Sequence, residues 1–187
     1  MVDADSASNI VLSNDELLAI AAELMQTERR AETLVVLKAL LERTPTDGRA
    51  LYLLAAEHAA LGLFDQAESE YAAAVELCPQ IPEARLQFVM LLLSRHKTAD
   101  AVVQWEKLRE TRASALVTAC TETPGCLLRG ELDAAEAAAK SLDTSVATER
   151  ALCESTRQFV LTVAQQLRAE VAERTPRYLG SYARLAD

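Results

Sequence analysis

A pattern of apolar residues that recurs every 34 residues constrains the fold of this chain more than any other feature. Most equivalent positions hold residues of similar size, with large apolar residues aligned at some positions and small residues at others. The aligned sets are Leu17 and Leu51; Ile20, Leu54 and Phe88; Ala21 and Ala55; Leu37, Tyr71 and Trp105; Leu40, Ala74, Leu108 and Leu142; Pro45 and Pro79; Ala67, Ala101 and Ala135; and Gly62, His96 and Gly130. Such a period predicts repeated units that stack to form one continuous core.

The period divides most of the chain into four copies, which differ in how well they keep the pattern. The copies are 14–47, 48–81, 82–115 and 116–149. The second is the clearest, whereas the first half of the fourth is degenerate, because Glu122, Thr123 and Pro124 stand where apolar helix positions are expected.

The second copy carries a recognisable motif. Its motif positions hold Leu51, Leu54, Ala55, His58, Ala67, Tyr71 and Pro79. In this order and spacing the chain resembles the tetratricopeptide-repeat family over about 14–142. The resemblance implies an all-α fold, a right-handed α-solenoid in which each repeat is a helix A, a short turn and a helix B.

Composition agrees with a helical fold. Half of the 187 residues are hydrophobic, only 4% are aromatic, and glycine and proline number five each. So few turn-forming residues disfavour an all-β chain, and the abundant Ala, Leu, Glu and Arg are good helix formers.

Local signals predict where helices begin and end. Residues 13–16, Ser-Asn-Asp-Glu, predict a capping box, and Gly62 predicts a turn with positive φ. Pro124-Gly125 predicts a kink or short loop. A stripe of apolar residues over 146–174 predicts a long amphipathic capping helix that ends at Thr175-Pro176. The predicted organisation is a flexible N-terminus 1–12, a repeat array 13–145, a capping helix 146–174 and a tail 175–187.

The chain has a net charge of −9, from 19 basic and 28 acidic residues. Its sequence has no cluster of Lys and Arg residues of the kind that binds nucleic acids or anionic membranes. The sequence also has no secretory-type N-terminus and no apolar run of membrane-spanning length. We expect a cytoplasmic protein that neither binds nucleic acid nor inserts into a membrane.

The sequence offers no catalytic, metal or cofactor motif. His58 stands at a core position and is expected to be a hydrogen-bonded core histidine, with no acidic or nucleophilic partner at an obvious spacing. His96 is expected in a solvated turn. The cysteines Cys78, Cys120, Cys126 and Cys153 form no C-x-x-C pair and are expected to be reduced and partly buried, although the close pair 120 and 126 leaves a redox or metal role open. We therefore expect no enzyme activity, no cofactor and no metal.

The family resemblance implies a groove lined by the A helices. The outward A-helix positions that fall in this groove are Leu18, Ala22, Met25, Arg49, Tyr52, Ala56, Glu83, Leu86, Met90 and Leu93. The Lys and Asn that some family members use to clamp a C-terminal carboxylate are absent from these positions. An apolar face with two methionines suits an amphipathic or extended apolar segment of another polypeptide.

The resulting hypothesis is an adaptor or chaperone-like protein, similar to the bacterial repeat chaperones that keep translocator proteins soluble before type III secretion. Two alternatives stay open. The long C-terminal helix could fold back and fill the groove itself, or the array could be a structural subunit of a larger assembly or a homodimer. The substitution Leu86→Glu distinguishes an open groove from a groove filled by the C-terminal helix. If Leu86 lies in an internal core, the protein should lose stability, whereas in an open groove only partner binding should be lost.

Overall fold

The computed structural model describes residues 12–111, 115–142 and 147–182, and these residues form helices joined by short turns, without a strand. The helices are α1 Asn14–Gln26, α2 Arg30–Arg43, α3 Gly48–Ala60, α4 Phe64–Leu77, α5 Pro82–Ser94, α6 Thr98–Glu110, α7 Ala115–Leu128, α8 Leu132–Ser141 and α9 Ala147–Tyr182. The all-α prediction is confirmed, and α1, α3 and α5 begin at the predicted first residues of the first three copies. The predicted flexible N-terminus, apart from Leu12, lies outside the described residues, as do residues 183–187 of the tail.

The chain divides into two compact units, Met1–Pro79 and Gln80–Asp187. Unit 1 contains α1 to α4, and unit 2 contains α5 to α9. Each unit is described by itself below.

Unit 1 consists of two helical hairpins, α1 with α2 and α3 with α4, and α3 also packs against α1 and α2. Most of its core residues are ones that the 34-residue period aligns, and Leu18 and Ala50 add to them. The buried members of this core are Leu18, Ala21, Leu37, Leu40, Ala50 and Leu54. The predicted capping box is present at its first helix, where Ser13 Oγ accepts from Glu16 N and the Glu16 carboxylate accepts from Ser13 N at 2.7 Å.

The turn between helices A and B has the same backbone in all four hairpins. Gly62 has φ +76° and Gly130 has φ +75°, as glycine allows, but Glu28 and His96 adopt nearly the same values, 56° and 58°. In each turn the next residue donates its N–H to a carbonyl five residues back, at 2.9 Å. This is the Schellman arrangement, which satisfies the last carbonyls of helix A. The positive φ predicted at Gly62 is therefore confirmed.

Unit 2 contains the hairpins α5–α6 and α7–α8, followed by α9, which packs against α7 and α8 and also reaches α5. One of its cores joins α7, α8 and α9 through Cys126, Leu127, Ala135, Ala139, Val160 and Ala164. Polar contacts add to this packing, because Arg157 donates to the carbonyls of Ala139 and Leu142, and Arg168 pairs with Asp133 and Glu136. The last helix is thus part of the folded unit.

The predicted break at Pro124-Gly125 is wrong, because α7 runs through Pro124 without interruption. Proline removes one helical donor and crowds the preceding turn. Here the fully buried Pro124 lies in a turn whose carbonyl at Thr121 accepts the indole N–H of Trp105 at 3.0 Å. The absence of a side chain at Gly125 lets the Trp105 ring pack directly on the helix backbone. Packing against α6 therefore keeps this segment helical, although its sequence locally favours a break.

The predicted end of the capping helix at residue 174 is also wrong, because α9 continues through Thr175 and Pro176 to Tyr182. One proline costs a helix a single hydrogen bond and some crowding, and the residues before it, such as Ala172 and Glu173, are strong helix formers. The stop signal was therefore too weak to end this helix.

We predict that Gly125→Ala destabilises the protein by about 1–3 kcal/mol, because the added Cβ would lie 2.6 Å from Trp105 Cζ2 and force a core rearrangement. Thermal or urea unfolding measures this change. In a Trp105→Leu background the clash disappears, and the same substitution should stabilise by up to about 1 kcal/mol, because alanine is a better helix former than glycine. Equal costs in both backgrounds would contradict this packing.

Candidate binding surfaces

The A helices of unit 1 lie side by side, which places the predicted groove residues of the first two copies on neighbouring helices. Arg49 at the start of α3 pairs with Asp15 at the start of α1, with 2.9 Å between Nη1 and Oδ1. Arg49 also pairs with Asp47, the residue that caps α3. This network of charges fixes one end of the α1–α3 face.

The rest of the α1–α3 face is apolar and retains accessible surface. Ala22 and Met25 on α1, and Tyr52 and Ala56 on α3, are half-buried. Tyr52 packs near Tyr71, with ring centroids 6.3 Å apart. These four residues and the exposed Arg49 are the candidate binding surface of unit 1.

Leu18, also predicted for the groove, belongs to the core of unit 1 and is only 9% exposed. It therefore supports the helices of the face and offers little surface of its own.

In unit 2 the predicted groove residues are placed differently. Leu86 is fully buried and Met90 is 5% exposed, whereas Glu83 and Leu93 are half-buried. Leu86 and Met90 share a core with Leu108, Cys120, Leu142 and Cys153, against which Leu152 and Phe159 of α9 also pack. The last helix thus covers the middle of the α5 face, as the first alternative from the sequence describes, and leaves its ends accessible.

A pocket of about 170 Å³ lies at one of these ends, where α5 and α7 stop beside α9. Its apolar lining comes from three helices and consists of Leu93, Leu127, Leu128, Val163 and Leu167. Its polar lining consists of Ser94, His96, Thr98, Gln166 and Glu170. The predicted groove residues include Leu93, whereas most of the other lining residues come from segments that no repeat motif connects. We call this site the α5–α9 pocket.

His58 is buried and hydrogen-bonded, as predicted, but it has an acidic partner that the sequence did not reveal. Its Nδ1 lies 2.7 Å from Glu70 Oε2, on the neighbouring helix α4. Burial raises the pKa of Glu70 above its ordinary value, and the contact with His58 opposes that rise. The two residues face each other across a hairpin and are twelve residues apart in the sequence. Helical periodicity does not predict a contact at that spacing. The pair joins α3 to α4 and lies outside the α5–α9 pocket and the α1–α3 face.

The four cysteines are free thiols, and three of them are buried. Cys120 and Cys126 belong to different core clusters, with Cys153 in the same cluster as Cys120. Cys126 Sγ accepts from Arg129 at 3.2 Å, yet burial raises the pKa of its thiol, which disfavours the reactive thiolate. Across residues 12–111, 115–142 and 147–182, no cluster of three or more His, Cys, Asp or Glu side chains is suited to a metal ion. None of the described helices is long and apolar enough to cross a membrane.

We predict that Leu86→Glu lowers the free energy of unfolding by about 3 kcal/mol or more, because it places a carboxylate in the core beneath α9. The matched change Met25→Glu on the α1–α3 face should cost at most about 1 kcal/mol, because Met25 is half-buried and outside the core cluster. Urea unfolding of both variants measures the difference. If Leu86→Glu proved as stable as Met25→Glu, the covering of α5 by α9 would be refuted.

Comparison with known proteins was informative at the level of three-dimensional structure. No protein-family model and no curated protein matches the sequence. Among solved structures, the chain is similar to TTC0263, a thermophilic TPR protein of Thermus thermophilus, with a TM-score of 0.60 and 20% identity over 93% of this chain and 97% of that one. A tetratricopeptide repeat protein from Parabacteroides merdae gives a TM-score of 0.58 and 16% identity over 93% of this chain and 67% of that one. The type III secretion translocator chaperone SycD of Yersinia enterocolitica gives 0.51 and 21% over 68% of this chain and 86% of that one. The chain therefore has the all-α tetratricopeptide-repeat fold.

Proposed function

We propose that this protein is a non-catalytic binding module that holds an apolar or amphipathic segment of another polypeptide. The observation that carries the proposal is the α1–α3 face, where Ala22, Met25, Tyr52 and Ala56 keep accessible apolar surface on two adjacent A helices. An accessible apolar surface of this kind is a common mark of an interaction site.

The chemistry of the face favours a particular class of ligand. The small side chains of Ala22 and Ala56 let a ligand backbone approach closely, while the flexible Met25 adapts to different apolar side chains. Arg49, already paired with two carboxylates, marks a polar end of the surface. An amphipathic helix or an extended apolar segment would bury its apolar side on such a face and leave its polar side in water.

An adaptor or chaperone-like role is the form of this function that we favour. The structural neighbour SycD is itself a translocator chaperone, and its likeness to this chain at 21% identity concerns the fold. The net charge of −9 argues for a polypeptide partner over a nucleic acid. The cytoplasmic location and bacterial origin expected from the sequence stay predictions.

A structural role is the second candidate, and the covering of Leu86 and Met90 by α9 favours it for unit 2. A helix that fills its own groove removes that part of the face from partner binding and stabilises the unit instead. A homodimer formed through the remaining surface would make molar mass depend on concentration, which light scattering after gel filtration detects.

We predict that a polypeptide captured by the tagged protein from lysate of its own organism is lost when Ala22→Glu and Met25→Glu are combined. Two carboxylates on the α1–α3 face would have to be desolvated beneath an apolar ligand. The matched control is Val35→Glu on α2, which adds a charge at an apolar residue that is already 68% exposed. Quantitative mass spectrometry of the captured fraction gives the readout, with helicity checked for each variant. Equal capture by the double variant and the control would place binding elsewhere.

A further inference from the structure

We propose that the α5–α9 pocket is an anchor site for one large apolar side chain of a partner polypeptide, and that a lysine or arginine next to that side chain pairs with Glu170. This inference rests on the proposed binding function and specifies its ligand. It concerns unit 2 alone and uses none of the residues of the α1–α3 face.

The size and lining of the pocket suit a single side chain. An apolar cavity of about 150 Å³ can hold a molecule as large as benzene. The pocket, at about 170 Å³, therefore has room for one leucine, methionine or phenylalanine side chain. Leu93, Leu127, Leu128, Val163 and Leu167 supply its apolar lining, so a buried apolar guest would meet apolar atoms from three helices.

The fold explains why the recess is open at this place. Helix α5 ends at Ser94 and α7 ends at Leu128, whereas α9 continues past both ends to Tyr182. After Ser94 the chain turns away through His96, which has φ 58°, and Lys97 N–H donates to Leu92 O at 2.9 Å. The recess is thus bounded by two helix ends with hydrogen-bonded turns and by the side of a longer helix.

The charge at the pocket suits a basic residue on the partner. Glu170 is exposed, and within the part of the chain that the structure describes it makes no ion pair. Two positions earlier on α9, Arg168 is held by Asp133 and Glu136 and cannot neutralise Glu170 as well as them. His96 and Thr98 also line the pocket. A cation from the partner would therefore be drawn to the α9 side of the pocket.

The two parts of the ligand contribute differently. Burial of a large apolar side chain supplies about 1.5–3 kcal/mol and provides the affinity. An exposed ion pair with Glu170 contributes at most about 1 kcal/mol. It therefore affects the orientation of the bound partner more than the affinity.

The test uses the full chain and two synthetic alanine-based helical peptides as probes. One carries a central leucine with a lysine four residues later, and the other has glutamate in place of that lysine. Methyl NMR titrations should show the lysine peptide shifting the resonances of Leu93, Leu127 and Val163 and binding about two- to fivefold more tightly than the glutamate peptide, as an exposed ion pair allows. Glu170→Lys should reverse that preference, whereas the matched control Glu173→Lys, also exposed on α9, should leave it unchanged.

A second pair of variants tests the apolar anchor. Leu167→Lys in the pocket lining should abolish the methyl shifts, whereas Val171→Lys, one turn further along α9 and 61% exposed, should not. If the pocket methyls stay unshifted by both peptides while capture by the α1–α3 face persists, the anchor site is overturned and the proposed function stands. If the pocket methyls stay unshifted and capture by the α1–α3 face is also absent, the anchor site and the proposed function are both overturned. Pocket methyl shifts caused by dilution of the protein alone would identify a second copy as the occupant and equally overturn the proposal.

Discussion

The close approach of helices at small residues is the constraint on which this structure depends. Alanine stands fully buried at recurring positions in both units, at Ala21, Ala55, Ala67, Ala101 and Ala135. A larger side chain at these sites would hold the helices apart, and the apolar residues around them would lose their contacts. One hairpin cannot cover its own apolar face, so each leaves a face for the next element to cover. In unit 2 that next element, after the last hairpin, is α9.

The covering helix accounts for the contrast between the two candidate surfaces. In unit 2, α9 lies over Leu86 and Met90, so the middle of the α5 face becomes core and only the recess beyond it stays accessible. In unit 1, Tyr52 and Ala56 occupy the corresponding positions of α3 and keep accessible surface. The same repeat therefore serves as core in one unit and as candidate binding surface in the other, depending on what packs against it.

Much of the fold could be predicted from the sequence, because periodicity and capping are local signals. The repeat starts follow from the 34-residue period, and the capping box at Ser13 and the positive φ at Gly62 follow from short segments of chain. Two predictions failed, for different reasons. At Pro124 the contact with Trp105 outweighed the local break signal, and at the end of α9 the stop signal at Thr175-Pro176 was too weak to end a run of helix-forming residues. The sites were harder to predict, because apolar residues that face a partner and apolar residues that face a covering helix have the same sequence pattern. The His58–Glu70 pair and the α5–α9 pocket were missed because their members lie on different helices with no shared period.

Helix α9 packs into the core of unit 2, and we propose that partner binding is confined to the surfaces that it leaves open. Hydrogen exchange measured by NMR on the isolated protein tests this most directly. We predict that amides of α9 from 152 to 164, where Cys153, Thr156, Val160 and Ala164 are buried, exchange as slowly as those of α5 around Leu86. Much faster exchange in α9 than in α5 would show that the helix detaches while the rest of the unit stays folded. That result would return Leu86 and Met90 to the binding groove and would refute the role of α9 as a lasting part of the core.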